Sequence, residues 1–470
     1  MRGICLVGIS EVATIVIISI AMLIIIEISI GNNLPMITEI KDSYDDMRDR
    51  SINKINTEIK LTDTTLSSWW NTSWNYRKMI TINNSQIEED LTNFTVLINI
   101  TDNNLKNNAL SNGDDIAFTN IYGTVQYNHE IEHFDNSSGH LIAWVMIPQL
   151  SSSINTLLYM YYGNAGATNQ QNIPGTWDSN YTAVWHFNNN SLADSTSNGY
   201  DGTNTGTTYN SNCRINGGRE YGGDHRIDVN NFATISTDLT AEAWVYRDPG
   251  DTQNEIRLLM EGPRWNSNDW CLYWIINRGV VRFVINSNNH RTSGDYNETS
   301  GTWLYIAIAY ESGDAFFYKN GIKQREYIGV FDTSIGNSYT TLTIGNQNNG
   351  GRGWDGKMDE VRISNINRSE NWINTSFNSM NSPDMFYFLG NEESVNTINI
   401  NLMNTGSTVI KTTDVTILVN GTVTSFTCST SYIYPNGQAN FIVDVLSSGE
   451  KRIKIVTGNG IADYYIFEGI

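Results

Sequence analysis

The chain opens on an uncharged apolar run and then settles into short alternating segments. From Val12 to Ile26 no residue is charged, Glu11 and Glu27 bracket the run, and Ile28–Ile30 extend it to a break at Gly31-Asn32-Asn33. A helix over Val12–Ile30 is long enough to cross a hydrocarbon layer of about 30 Å. Next, Ile37, Ile40, Tyr44, Met47, Ile55 and Ile59 recur at three- and four-residue steps, with one slip near Ser51, among charged residues. That spacing predicts an amphipathic stalk helix over 34–64 that runs into a first strand.

Beyond the stalk the period changes to that of strands. Thr95–Ile100, Leu141–Ile147 and Thr156–Tyr162 are apolar or aromatic runs bounded by Asn, Ser, Gly and Asp clusters. Trp303–Tyr310, a turn at Glu311–Asp314, Ala315–Lys319 and a turn at Asn320-Gly321 read as a meander with hairpin chemistry. After Thr397 strict alternation takes over: Val415, Ile417 and Val419, then Phe441, Val443 and Val445, then Ile453 and Ile455. This predicts a small antiparallel sandwich with one face of each sheet inward. The predicted fold is mainly β: an N-terminal transmembrane helix and stalk, then β-sandwich domains.

Composition narrows the function classes. A net charge of −20 with scattered Arg and Lys leaves no basic stripe for nucleic acid. Acidic residues dispersed among Asn, Ser, Thr and Gly suit a solvated extracellular surface. Cys5 lies in the leader, and Cys213, Cys271 and Cys428 are too few and too spread for a disulfide framework. A Cys213–Cys271 bridge and isolated thiols both fit.

Four resemblances rest on particular residues. The start of the chain resembles the class III leader of archaeal pilin-like proteins, in which a peptidase cuts after a glycine ahead of a retained helix. Gly3, after Arg2, and Gly8, before Ile9-Ser10-Glu11, both fit that cut; a plain anchor fits as well. Residues 65–176 carry Trp74–Lys78, Asp114–Phe118, His129–Glu132, Trp144-Val145 and Leu158–Asn164, and resemble a family of unknown function found in archaeal and bacterial surface proteins. Residues 177–394 carry Ala183–Phe187, Asp194-Ser195, Leu239–Val245, the 303–321 meander and Asp355–Ile363, and resemble laminin-G/concanavalin-A-like lectin domains, which implies a lectin-like jelly roll. Residues 395–470 carry Asn404–Thr408, Asp414–Gly421, Tyr434–Gly437 and Lys454–Tyr464, and are similar to the β-sandwich of archaellar accessory proteins F and G. The resemblances imply segments at 1–33 (leader and membrane helix), 34–64 (stalk and first host strand), 65–176, 177–394 and 395–470, with the middle pair inserted into a split host domain. Insertion at an exposed loop tip is physically tolerated.

Candidate chemistry is sparse. His129-Glu-Ile-Glu-His133 satisfies the zincin string, but that chemistry needs a helix, and the flanks predict a strand. Paired carboxylates for glycoside hydrolysis sit about 5–5.5 Å apart in retaining enzymes. Glu130/Glu132 share a strand face but lie outside the lectin-like segment, and Asp359/Glu360 alternate faces. Asp194, Asn198 and Asp201 are hard oxygen ligands that can hold Ca2+, or form an ordinary turn. Trp265, Trp270 and Trp354 are the candidates for stacking on sugars, with the core as their other place. The expectation is a single-pass, membrane-anchored surface protein, not an enzyme, with its bulk extracellular. Its expected partners are glycans and an envelope or surface-layer protein; the alternatives are a pilus-like filament subunit and a glycan hydrolase.

Overall fold

The computed structural model describes residues 42, 43, 45, 59–63 and 69–467, apart from 233, 234, 236, 250–255, 262–269, 276–278, 286–288, 293–299, 336–339, 348, 349, 396 and 445–450. The apolar leader run with Gly3 and Gly8, nearly all of the stalk, and Trp265 fall outside those residues. Among the described residues no helix is long and apolar enough to cross a membrane.

The chain divides into two compact units, one of residues 1–66 with 396–470 and the other of residues 67–395. In the first, strand Ile59–Asp63 pairs antiparallel with Thr397–Asn404, which pairs in turn with Gln438–Asp444 and then Phe426–Cys428. A second four-stranded sheet is built from Thr422–Thr424, Thr416–Val419, Lys451–Val456 and Ala462–Phe467. Alternation does the work here: Ile400, Leu402, Ile417, Phe441, Val443, Ile453 and Ile455 are buried together, each about two residues from the next on its strand.

The second unit holds two sandwiches. One pairs a sheet ordered Tyr387–Ser394, Tyr76–Ile82, Thr156–Tyr162, Ala117–Asn120 and Gln126–Tyr127 with a sheet of Leu91–Thr101, His140–Leu150 and His129–Asp135. The other has seven- and eight-stranded sheets; in the latter Gly356–Ser364 lies between Asp238–Arg247 and Gly218–Tyr221, and Tyr181–Trp185 pairs with its end. The meander is present as Trp303–Glu311, Asp314–Lys319 and Ile322–Tyr327, and Asn320 and Gly321 both take positive φ at its turn, as a two-residue hairpin turn requires.

The two sandwiches interlock. Strand Tyr387–Ser394, at the end of the segment read as lectin-like, returns to pair with Tyr76–Ile82 of the other sandwich, so the sheet edge at 76–82 is covered rather than left open. Helix Glu370–Asn381, capped by Ser369, sets Trp372 edge-on to Phe94 at 4.9 Å. One continuous core runs through Phe94, Trp144, Trp177, Trp244, Tyr305 and Phe386.

Candidate functional site

Two features of the 67–395 unit bring chemistry-bearing side chains together: a buried charge cluster and an open cleft. The cluster is made by backbone irregularities. Opposite Ala143 and Ile142 the register of His129–Asp135 slips between Ile131 and His133, so Glu132 is the extra residue of a β-bulge. In Gly356–Ser364 the register slips between Asp359 and Arg362 against Asp238–Arg247, and Glu360 takes φ +50°. His186 follows directly on Tyr181–Trp185, ahead of Phe187 at φ +61°. Bulges re-aim side chains, and here they defeat simple alternation. Asp359 and Glu360 are both fully buried; Asp359 accepts from the Ile215 amide and Glu360 meets His186. Glu130 and Glu132, set aside as belonging to another domain, meet Glu360 across the junction of the two sandwiches.

The contacts are short and specific. His186 Nδ1 is 2.6 Å from Glu360 Oε1 and 3.7 Å from Glu132 Oε2, and its Nε2 is 3.4 Å from Glu130 Oε2. Arg362 donates to Glu360 Oε2 at 2.7 Å and lies over the rings of Trp144 and Trp177 at 4.5 and 5.0 Å. Trp144 Nε1 donates to Glu132 Oε2 at 2.9 Å, Trp177 Nε1 to Glu130 Oε2 at 2.8 Å, and Ser195 Oγ to Glu130 Oε1 at 2.7 Å. Glu132 Oε1 and Asp359 Oδ1 are buried with no hydrogen-bond partner.

Burial opposes charge on His186, but the Glu360 and Glu130 carboxylates outweigh it and hold the imidazole well above its ordinary pKa. Burial, then repulsion from Glu360, push Glu132 up to about 8. For Glu360 burial is again the largest influence, yet His186 and Arg362 overcome it and hold the group below the ordinary carboxylate value. Burial, then repulsion from Glu360 and Glu132, raise Asp359 well above its usual value. Chemically this is a histidinium–carboxylate network closed off from solvent.

The zincin string lies on strand His129–Asp135, not on a helix. His129 is fully buried, edge-on to Phe118 at 5.2 Å, and burial lowers its pKa from 6.5 to about 4. A depressed histidine stabilises the fold while it stays neutral. Below pH 6.5 the unfolded chain takes up a proton that the folded chain refuses, so stability is lost as pH falls from 6.5 towards 4. The loss from this residue is expected to reach roughly 3 kcal/mol by pH 4. Urea titrations of His129→Leu against wild type across that window are expected to differ in slope with pH; parallel curves would contradict it.

The other sequence candidates fare differently. Asp194 Oδ1 accepts from the Val184 and Thr196 amides, and Oδ2 accepts from Tyr200 N and Thr196 Oγ1. Asp201 Oδ1 accepts from Asp194 N, and Asn198 Nδ2 donates to the Thr182 carbonyl. These oxygens tie a turn together, so the residues read as Ca2+ ligands serve as turn anchors. Trp270 and Trp354 are core residues, 5% and 1% exposed, because they lie among the apolar residues between the large sheets; neither presents a ring to a sugar. Cys213 is a free thiol, so the Cys213–Cys271 bridge is not formed.

The cleft was not foreseen. It has a volume of about 480 Å³ and is lined by Asn93, Trp177, Asn180, Asn367, Ser369 and Trp372, among others. Arg368 also lines it: Nη1 and Nη2 each donate to Asp178 at 2.7 Å, and the guanidinium lies over Trp372 at 4.1 Å and Tyr181 at 4.5 Å. A bidentate pair stacked on aromatic rings is a rigid platform.

In comparison with known proteins, residues 221–374 match Laminin_G_3, described as the concanavalin A-like lectin/glucanases superfamily. Residues 112–207 match DUF2341, a domain of unknown function. No curated protein matches the chain. Among solved structures, domain 4 of AbnA, a GH43 extracellular arabinanase from Geobacillus stearothermophilus in complex with arabinotriose, overlays with TM-score 0.34 at 19% identity, covering 42% of this chain and 97% of that one. The binding domain of botulinum neurotoxin serotype D overlays with TM-score 0.35 at 13% identity, covering 61% of this chain and 85% of that one.

Proposed function

We propose that this chain is a membrane-anchored surface protein whose 67–395 unit is a glycan-binding head with no hydrolytic activity. The observation that carries the reading is the match of residues 221–374 to the lectin/glucanase superfamily on a sandwich whose clustered carboxylates are enclosed. Glycoside hydrolysis needs two carboxyl groups flanking a bound sugar, with room for water. Glu130, Glu132 and Glu360 instead face His186, Arg362 and indole N–H groups, away from solvent. What stands open to a saccharide is the cleft, lined by Asn93, Asn180, Asn367 and Ser369 among others. Side-chain amides and hydroxyls are the few placed polar groups that a sugar site uses.

In this reading Val12–Ile30 anchors the chain in the membrane with its bulk outside the cell. The sandwich of 59–63 and 397–467 serves as a base that docks on an envelope, surface-layer or archaellum-like component, in keeping with the resemblance to archaellar proteins F and G. The pilin-like leader, with Gly8 ahead of an uncharged run, favours a second reading as a filament subunit. Recovery in sheared filaments would select that reading; detergent-dependent extraction as a small oligomer would select the first.

The test is binding of the detergent-solubilised full chain to an array of polysaccharides and protein-linked glycans, compared with Ser179→Trp. Ser179 lines the cleft and is exposed, so a bulky ring there fills the cleft without entering the core. Selective binding by wild type, lost in the variant at unchanged melting temperature, is the expected outcome. Equal binding by both would move the site elsewhere, and no binding to any glycan would end the proposal.

A further inference from the structure

We propose that Glu132, His186 and Glu360 bind one divalent transition-metal ion, of the zinc or manganese kind, that clamps the two sandwiches together. This does not depend on the glycan reading. One donor atom from each of the three lies within 4.8 Å of the other two, and all three residues are buried. Donors at about 2.0–2.2 Å from a tetrahedral ion stand roughly 3.4 Å apart. The separations from His186 Nδ1, 2.6 Å to Glu360 and 3.7 Å to Glu132, straddle that spacing.

The groups behind the three donors are those of a metal centre's outer shell. His186 Nε2 is backed by the Glu130 carboxylate at 3.4 Å, the arrangement that orients a ligating imidazole. Glu130 is itself held by Trp177 and Ser195, Glu360 by Arg362 and Glu132 by Trp144.

A second observation is independent of that geometry. Glu132 is 7% exposed, and its Oε1 has no hydrogen-bond partner. A carboxylate oxygen left bare in the interior is costly, and a cation removes the cost. The backbone agrees: Glu132 and Glu360 both stand at bulges, and Glu360 holds φ +50°. Such irregularity persists where a site requires it. Two carboxylates and an imidazole suit zinc or manganese, whereas calcium takes six to eight oxygens.

Because the site is closed, the ion enters as the chain folds. The experiment is therefore to unfold the full chain in chelator, refold it with Zn2+ or Mn2+, remove unbound metal and measure metal per chain together with melting temperature. One ion per chain and a higher melting temperature than the metal-free refolded protein are expected. Glu132→Gln, which keeps an acceptor for Trp144, is expected to lose the ion, and His133→Ala/His140→Ala to keep it. That second variant tests the other imidazole pair, whose rings lie 5.3 Å apart. If Glu132→Gln does not refold, X-ray absorption on the loaded wild type decides: one imidazole nitrogen and carboxylate oxygens support the site. The proposal is overturned if neither metal is retained, if the double histidine variant alone loses it, or if the absorption spectrum shows two imidazoles.

Discussion

Replacing His186 by Ala is expected to lower the stability of the 67–395 unit by about 3–5 kcal/mol, the usual cost of removing one partner from a buried charge network. The imidazole touches Glu130, Glu132 and Glu360 at once, and without it three enclosed carboxylates keep only Arg362 among cationic contacts. Some of the cost will be relieved by protons taken up from solvent, so the loss should be larger at pH 8 than at pH 5. Urea denaturation followed by tryptophan fluorescence reads this unit alone, since all 13 tryptophans fall between Trp69 and Trp372. A loss below about 1 kcal/mol, the level of an exposed ion pair, would mean that the cluster is solvated.

Trp144→Ala is the second large effect, also about 3–5 kcal/mol, the range for truncating a buried aromatic side chain. Trp144 is 1% exposed, stacks on His186 at 5.4 Å, carries the Arg362 guanidinium on its face and supplies the N–H to Glu132. Trp144→Phe keeps most of the packing and loses that hydrogen bond, so a cost of roughly 1–3 kcal/mol is expected. Because Trp144 and His186 are in contact, the double variant should fall short of the sum of the two singles by at least about 0.5 kcal/mol. Strict additivity would show that the ring and the imidazole act independently. The fluorescence assay serves here too, with the amplitude corrected for the lost indole.

Much of the fold was written in periodicity. The runs at 95–100, 141–147 and 156–162 lie within strands Leu91–Thr101, His140–Leu150 and Thr156–Tyr162, because β-branched and aromatic residues bounded by turn formers leave the chain few other options. Asn320-Gly321 marked its hairpin because few other dipeptides accept two positive φ values. The return of Tyr387–Ser394 to the first sandwich was not legible, since nothing local in Tyr387-Phe388-Leu389 names a partner some three hundred residues away.

The charge cluster was hidden for a related reason. Its members, at 130–132, 186 and 360–362, are remote in sequence, and two of them reach it through bulges. A face assignment by strict alternation is wrong wherever one residue is inserted. A usable signal was present all the same: His186 interrupts Ala183–Phe187, a run otherwise fit for a core, and charges in such places are paired or bind metal. The tryptophans misled through abundance. Trp270 and Trp354 pack between sheets, and Trp177 and Trp372, which border the cleft, carried no local signal that set them apart.

The central claim is that an enclosed carboxylate cluster leaves this head a binder of glycans and not a cutter. The most direct measurement is to incubate the full chain with a glycan selected on the array, follow binding by calorimetry, and weigh the glycan by mass spectrometry after prolonged incubation. Saturable binding with the glycan recovered at its original mass is the result expected. Shortened oligosaccharides whose release stops in Glu360→Gln would contradict it.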